Sequence, residues 1–290
     1  MEKGWFRILE NGKIELSLGL FGGKRQKPIT VRIKKLPPGK VKEIELIYDR
    51  GLQLAVTYDD GKGPKENNNM GIAAIDLGEI HTIVSVTDHG HGVTITGRKL
   101  RSIKRLRNKK LKELQKKLAK CEKGSRQWKK YRRAFNYILG KSNAQLNDVL
   151  HKTTREFVNW CLENQVREVV VGDVAGVERH TSPKKKGNKH KRSPRHNQKM
   201  SQWQFGRITG YLQYKLAAEG ISLQKVDEAY TTQTCPVCGR KKRTSSRNYN
   251  CLCGYQEHRD IHGAKNILTK YKYGEFRKIS LTEHKYLRIA

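Results

Sequence analysis

The chain has 290 residues, and 61 Lys+Arg against 27 Asp+Glu give it a formal net charge of +34, a field that points to a polyanionic partner such as nucleic acid, whose counterions leave as its phosphates are neutralised. The rival partner, a membrane surface, is disfavoured: no amphipathic anchor or lipidation signal is evident, MEKGWFRILENGK holds no apolar signal-peptide region, and no stretch nears the ~18 apolar residues of a membrane span. A cytoplasmic protein is expected, with length for one large domain or two to three small ones.

Residues 1–62 alternate strand-like runs (KIELSLGLF, ITVRI, EIELIY, LQLAVTY) with Gly, Pro and Lys, which predicts a small antiparallel barrel or sandwich. GKGPKENNN at 61–69 reads as a linker. GIAAIDLGEIHTIVSVTDHGHGVTITGRK then gives three strands. Residues 98–165 predict an antiparallel helical hairpin, broken near Gly124, with a further helix from about 142 to 165 and an apolar stripe of Leu106, Leu111, Leu114 and Leu118. Its basic residues, among them Lys104, Arg105, Arg107, Lys109 and Lys110, far outnumber Glu113 and Glu122, so it reads as a nucleic-acid-facing surface rather than a merely solvated face.

EVVVGDVAG at 168–176 is a buried strand ending at Gly172 and Asp173. The acid-free segment 179–199 follows, a basic loop with Lys184, Lys185, Lys186, Lys191, Arg192 and Arg195 that is expected to order on phosphate. The helix SQWQFGRITGYLQYKLAAEG, the strand ISLQKVDEAYT, a cysteine module at 230–257, a short helix at 258–269 and a basic tail at 270–290 complete the chain. From residue 70 to 229, and resuming at 258, this order is that of an α/β ribonuclease-H-like core, a mixed sheet with helices on its faces.

Four acids fall near strand or helix ends. Asp76 closes the apolar run IAAID, where a carboxylate needs hydrogen bonds or a cation. Asp173 ends VVVGD, and Glu228 follows Asp227 in KVDEAYT. Asp260 opens HRDIHGAKNIL, where the helix dipole favours an anion, and Gly263 and Ala264 let the same face approach a sheet. Turn capping and helix-end charge are the plainer readings of Asp76 and Asp260. Carboxylates gathered at one sheet edge instead suit a pair of Mg2+ ions about 4 Å apart for phosphodiester hydrolysis.

CPVCGRKKRTSSRNYNCLCG sets Cys235 and Cys238 against Cys251 and Cys253, as C-x2-C and C-x-C separated by twelve residues. In a reducing compartment such pairs predict four thiolates around a structural Zn2+. Arg240, Lys241, Lys242, Arg243 and Arg247 make this module basic.

AIDLG, the VVVGD strand, YTTQTCPVCG, CLCG and HRDIHGAKNI together resemble the TnpB (OrfB) proteins of bacterial insertion sequences, relatives of type V CRISPR effectors. The resemblance runs from about residue 5 to 268. It implies a wedge-like N-terminal β domain, a RuvC-type nuclease split by the zinc ribbon, and RNA-guided DNA cleavage, with guide RNA and target DNA as partners. Asp76 matches the first RuvC aspartate and Asp260 the third acid. The second acid is normally a glutamate followed by Asp, whose place is held here by Gly172, followed by Asp173. Two readings follow. Either the site is dead, leaving a guided binder, or Glu228 on the neighbouring strand supplies the missing ligand, as in family members that have moved this glutamate. Acids at 76, 228 and 260 favour the second, with Asp173 assisting. The family's further N-terminal strand and helical insertion have no counterpart before WFRILENGKIELSLG, so a shortened copy or a fragment is expected.

Overall fold

The computed structural model describes residues 5–9, 11–48, 51–173 and 203–289. The basic loop expected at 179–199, with Lys184, Lys185, Lys186, Lys191, Arg192 and Arg195, lies outside the described residues. The chain divides into two compact units, Met1–Gly63 and Pro64–Ala290.

In the first unit, β1 (Phe6–Ile8), β2 (Lys13–Leu16) and β5 (Ile29–Arg32) form an antiparallel sheet. Two hairpins accompany it, β3 (Leu20–Phe21) with β4 (Lys24–Arg25) and β6 (Lys40–Tyr48) with β7 (Leu52–Asp59). The pairing is antiparallel, but among the described residues it makes three separate sheets rather than one closed barrel. The physical reason is a shortage of apolar face: Ile14 is the one fully buried hydrophobic residue described in this unit.

The second unit is built on six strands: β8 (Gly71–Asp76), β9 (His81–Thr87), β10 (His91–Thr96), β11 (Val166–Gly172), β12 (Ser222–Val226) and β15 (Glu283–Arg288), in the order β12-β11-β8-β9-β10-β15. β11 runs parallel to β8 and β12, whereas β9 is antiparallel to β8 and β10. The helices are α1 (Arg98–Leu118), α2 (Arg126–Glu163), α3 (Phe205–Ala218) and α4 (Arg259–Tyr273). A short hairpin of β13 (Asn248–Asn250) and β14 (Gln256–His258) belongs to the cysteine module.

Strand alternation divides the valines of β11 between two cores. Val169 and Val171 join Leu146, Phe157 and Leu212 of α2 and α3, while Val170 joins Ala264, Ile267 and Leu268 of α4. Ala74 of β8 also faces α4. By the same period of two, Asp76 and Gly172 fall on the α4 side of the sheet.

Three expectations change. The basic tail at 270–290 instead extends α4 to Tyr273 and then returns as β15, parallel to β10. Leu287 and Ile289 pack on the larger core, and Thr94 Oγ1 meets His284 Nε2 at 2.8 Å. The linker ends early: Lys65 donates its backbone N–H to Ala218 and Asn67 its side-chain amide to the Val166 carbonyl, so these residues belong to the second unit. The second hairpin helix starts at Arg126, capped by Ser125 Oγ accepting from Trp128 N, and runs without a break through residue 142.

Candidate active site and zinc ribbon

The ends of β8, β11 and β12 and the start of α4 bring the acids to one edge of the sheet. Asp76 is the last residue of β8, and α4 passes it so closely that a Cβ on Gly263 would stand 2.6 Å from Asp76 Oδ2. Gly263 therefore makes room for the carboxylate. Burial first, then the charges of Asp260 and Glu228, push Asp76 well above the usual carboxylate range, with Arg259 opposing.

Gly172 pairs with Val226 on β12, and Glu228 follows two residues later on the same face. A Cβ at Gly172 would meet Glu228 Oε2 at 2.5 Å and Glu228 Cβ at 3.1 Å. The space that a residue-172 side chain would enter is thus filled by the side chain of Glu228. Its backbone is held as well, the Glu228 carbonyl accepting from Thr231 N and Oγ1 at 3.1 and 2.8 Å. Asn266 of α4 bonds the Thr231 and Thr234 carbonyls at 2.7 and 2.8 Å, tying this turn to the helix that carries Asp260. Burial, then the charges of Asp173 and Asp227, raise the Glu228 pKa. Asp173 lies one position out of phase with Gly172 and is exposed, though its charge reaches Glu228. Asp227 turns to Lys270 at 3.0 Å.

Asp260 is buried, and its oxygens are divided between neighbours: Oδ2 lies 2.9 Å from His81 Nδ1, and Oδ1 3.6 Å from Arg259 Nε. Burial alone would raise its pKa, but the His81 hydrogen bond and the nearby His258 and Arg259 outweigh this and hold it below the ordinary value. His258 caps α4 by accepting from Asp260 N. Neither histidine stood out in the sequence; the signal would have been a histidine opening an apolar strand in EIHTIV and another at the cap position of HRD. A cleft beside these groups is lined by Asp76, Thr232, Arg243, Thr244, Arg259 and Asp260.

Cys235 and Cys238 stand opposite Cys251 and Cys253. Their sulfurs all lie within 4.8 Å of one another, with Cys235–Cys253 at 3.6 Å and Cys238–Cys251 at 3.5 Å. Four sulfurs about 2.3 Å from a tetrahedral zinc are about 3.8 Å apart, so the donor set and spacing fit Zn2+ without rearrangement. Each knuckle is closed by a glycine in the left-handed region, Gly239 at φ +70° and Gly254 at φ +87°. The single residue between Cys251 and Cys253 fits because Cys251 N donates to the Tyr255 carbonyl and Gly254 N to that of Cys251.

The basic side chains of the hairpin are only partly exposed. Arg105, Lys109 and Lys110 are exposed. Lys104, expected among them, is buried: its ammonium sits 4.3 Å from the centre of the Trp203 ring, and burial lowers its pKa to about 8. Arg107 is half-buried and donates to Asn143 Oδ1 at 3.2 Å. The reason is helical phase, since Leu100, Lys104, Arg107, Leu111, Leu114 and Leu118 share one stripe, while Leu106 falls off it and is exposed.

A mixed sheet with acids at one edge, helices on both faces and a four-cysteine module inserted before the last described helix is an α/β fold consistent with a RuvC-like arrangement. Comparison with known proteins places it further. The model of the OrfB_IS605 family, described as "Probable transposase", matches residues 53–178, and that of the "Cas12f1-like, TNB domain" family matches residues 205–267. TnpB-like protein MJ0751 of Methanocaldococcus jannaschii is 24% identical over 213 residues, 71% of either chain. InsQ of Escherichia coli, whose name describes an RNA-guided DNA endonuclease, is 27% identical over 164 residues, 55% of this chain and 40% of its own. Among solved structures, a Cas12f1–sgRNA–target DNA complex superposes with a TM-score of 0.55 at 15% identity, covering 88% of this chain and 44% of that one. A CRISPR-Cas12f ternary complex gives 0.55 at 18%, covering 77% and 44%. Family models and relatives together make the chain similar to the TnpB/OrfB proteins over most of its length. It spans less than half the length of InsQ and of these effector chains. Among the described residues, no helix is long and apolar enough to cross a membrane.

Proposed function

We propose that the chain is an RNA-guided DNA endonuclease with a rearranged RuvC-type site, in which Asp76, Glu228 and Asp260 hold Mg2+ and the four cysteines hold Zn2+. The observation that carries this reading is the Glu228 carboxylate in the space beside Gly172: the position left without a side chain is served by an acid from the next strand. Carboxylate oxygens suit a hard cation, and the charges that raise the Asp76 pKa are those a cation would offset. Mg2+ bound there would activate water and stabilise the leaving oxygen of a phosphodiester. The chain's own residues supply the rest. His81 fixes the orientation of Asp260, the Asn266 clamp fixes the Glu228 turn, and Arg243 and Arg259 on the cleft rim offer charge to a strand's phosphates. Arg105, Lys109 and Lys110 on the hairpin would grip guide RNA and heteroduplex through the backbone, leaving sequence to base pairing. The second reading is a guided protein that binds without cutting, and the bare Gly172 is what favours it.

The guided reading is tested by RNA bound to the purified chain. Sequencing should return one enriched transcript, and a random sample of cellular RNA would count against a guide. With that RNA, replacing Arg105, Lys109 and Lys110 by Gln should weaken binding and lower the salt slope by about 2, as expected for three lost phosphate contacts on a single strand. Lys104→Gln should leave the slope unchanged.

A further inference from the structure

His81, His258 and Asp260 draw together more closely than the proposed catalytic carboxylates. Among the described residues, only they and the four cysteines gather at least three His, Cys, Asp or Glu ligand atoms all within 4.8 Å of one another; Asp76 and Glu228 do not join the group. We infer that His81, His258 and Asp260 form a second site for a borderline divalent cation of the zinc or cobalt class, beside the carboxylate set and sharing Asp260 with it.

Three observations support this. First, the spacing is already that of ligands: His81 Nδ1 and Asp260 Oδ2 are 2.9 Å apart, and neighbouring ligands about 2.1 Å from one ion are about 3.0 Å apart in an octahedron and 3.4 Å in a tetrahedron. Second, the donors are held in place. His81 opens β9, His258 caps α4 with Asp260 two residues on, and the two imidazoles lie edge to face with ring centres 5.2 Å apart. Tyr286 of β15 stands edge-on to His81 at 6.0 Å and forms a wall on that side. Third, the chemistry differs from that of the carboxylate set. Two imidazoles and one carboxylate suit zinc or cobalt, whereas Mg2+ takes oxygen ligands and keeps its water. Arg259 near Asp260 Oδ1 leaves Oδ2 as the oxygen facing the histidines.

A consequence follows for the nuclease, and this consequence alone rests on the function proposed above. An ion on the histidines engages Asp260 Oδ2 and withdraws it from the carboxylate set, so Zn2+ inhibits Mg2+-dependent cleavage.

The site itself is tested without cleavage. The full chain is dialysed to equilibrium against buffered micromolar Zn2+ with millimolar Mg2+ present, and zinc per chain is counted by atomic emission. The expected result is two zinc ions per chain, falling to one in His81→Gln and in His258→Gln, each keeping the parent circular dichroism spectrum and the cysteine-bound ion. Asp76→Asn should still bind two. One zinc in the parent chain, two in both histidine variants, or loss of the second zinc in Asp76→Asn would each overturn the site. The count does not depend on activity, so a chain that binds two zinc ions and cuts nothing would refute the nuclease reading and leave the site standing.

Discussion

If the chain cuts DNA as proposed, Glu228→Ala should abolish guided cleavage in Mg2+, while Asp173→Asn should leave the rate close to that of the parent. The expected loss for Glu228→Ala exceeds the roughly 10–100-fold that removal of an outer-shell partner costs a metal site, because the carboxylate itself is removed. The two acids differ in phase. Gly172 falls on the α4 side of β11, and Asp173 is one residue out of that alternation and exposed. The geometry also predicts a rescue. With Glu228 cut back to alanine, the Oε2 that would stand 2.5 Å from a Cβ at 172 is gone, leaving the retained Cβ of residue 228 at 3.1 Å and Ile267 Cδ1 at 3.3 Å as its nearest contacts. Gly172→Glu in the Glu228→Ala background should therefore recover part of the activity, whereas Gly172→Glu alone should disrupt the site by driving two glutamates into one space. Single-turnover cleavage rates, with melting temperatures to exclude unfolding, decide the matter. Equal losses for Glu228→Ala and Asp173→Asn would mean that both acids share the site.

Cys238→Ser is expected to have the largest structural effect. A structural zinc site contributes about 10–16 kcal/mol of binding free energy in small zinc modules, and the strands of this module among the described residues, β13 and β14, are three residues long each. Its loss should reach α4, because buried Tyr249 stacks on His262 with ring centres 4.1 Å apart, and Tyr249 Oη donates to the Gln233 carbonyl at 3.2 Å. The variant should lose its tightly held zinc and show hydrogen exchange in residues 230–258 and at the start of α4. The six-stranded sheet, with its own core, should keep most of its far-ultraviolet signal. Parent-like zinc content and protection would contradict a structural zinc.

Much of this site could be read in the sequence because its signals are local. The cysteine spacing stands in one short stretch, Asp76 and Asp260 sit at element ends, and the absence of a side chain at Gly172 is visible in VVVGD. What escaped depends on residues distant in sequence. β15 is a basic, mostly exposed strand whose place is fixed by pairing with β10, nearly two hundred residues earlier; its one apolar cue is Leu287 and Ile289, two apart. His81 and His258 gain meaning only when β9 meets the cap of α4. Lys104 departs from expectation for a different reason. Charge suggested a surface residue, but the helical phase of Leu100, Leu111, Leu114 and Leu118 placed it in the buried stripe, where Trp203, a residue in no helix or strand, receives it.

A site in which Glu228 serves in place of an acid at position 172 must cut DNA. The most direct measurement is cleavage of guide-matched duplex DNA by the unaltered chain, carrying its copurified RNA, in millimolar Mg2+. Cutting that requires the matched guide and stops with a metal chelator is the result this arrangement predicts. A chain that binds the guide and the matched duplex but leaves both strands intact would contradict it.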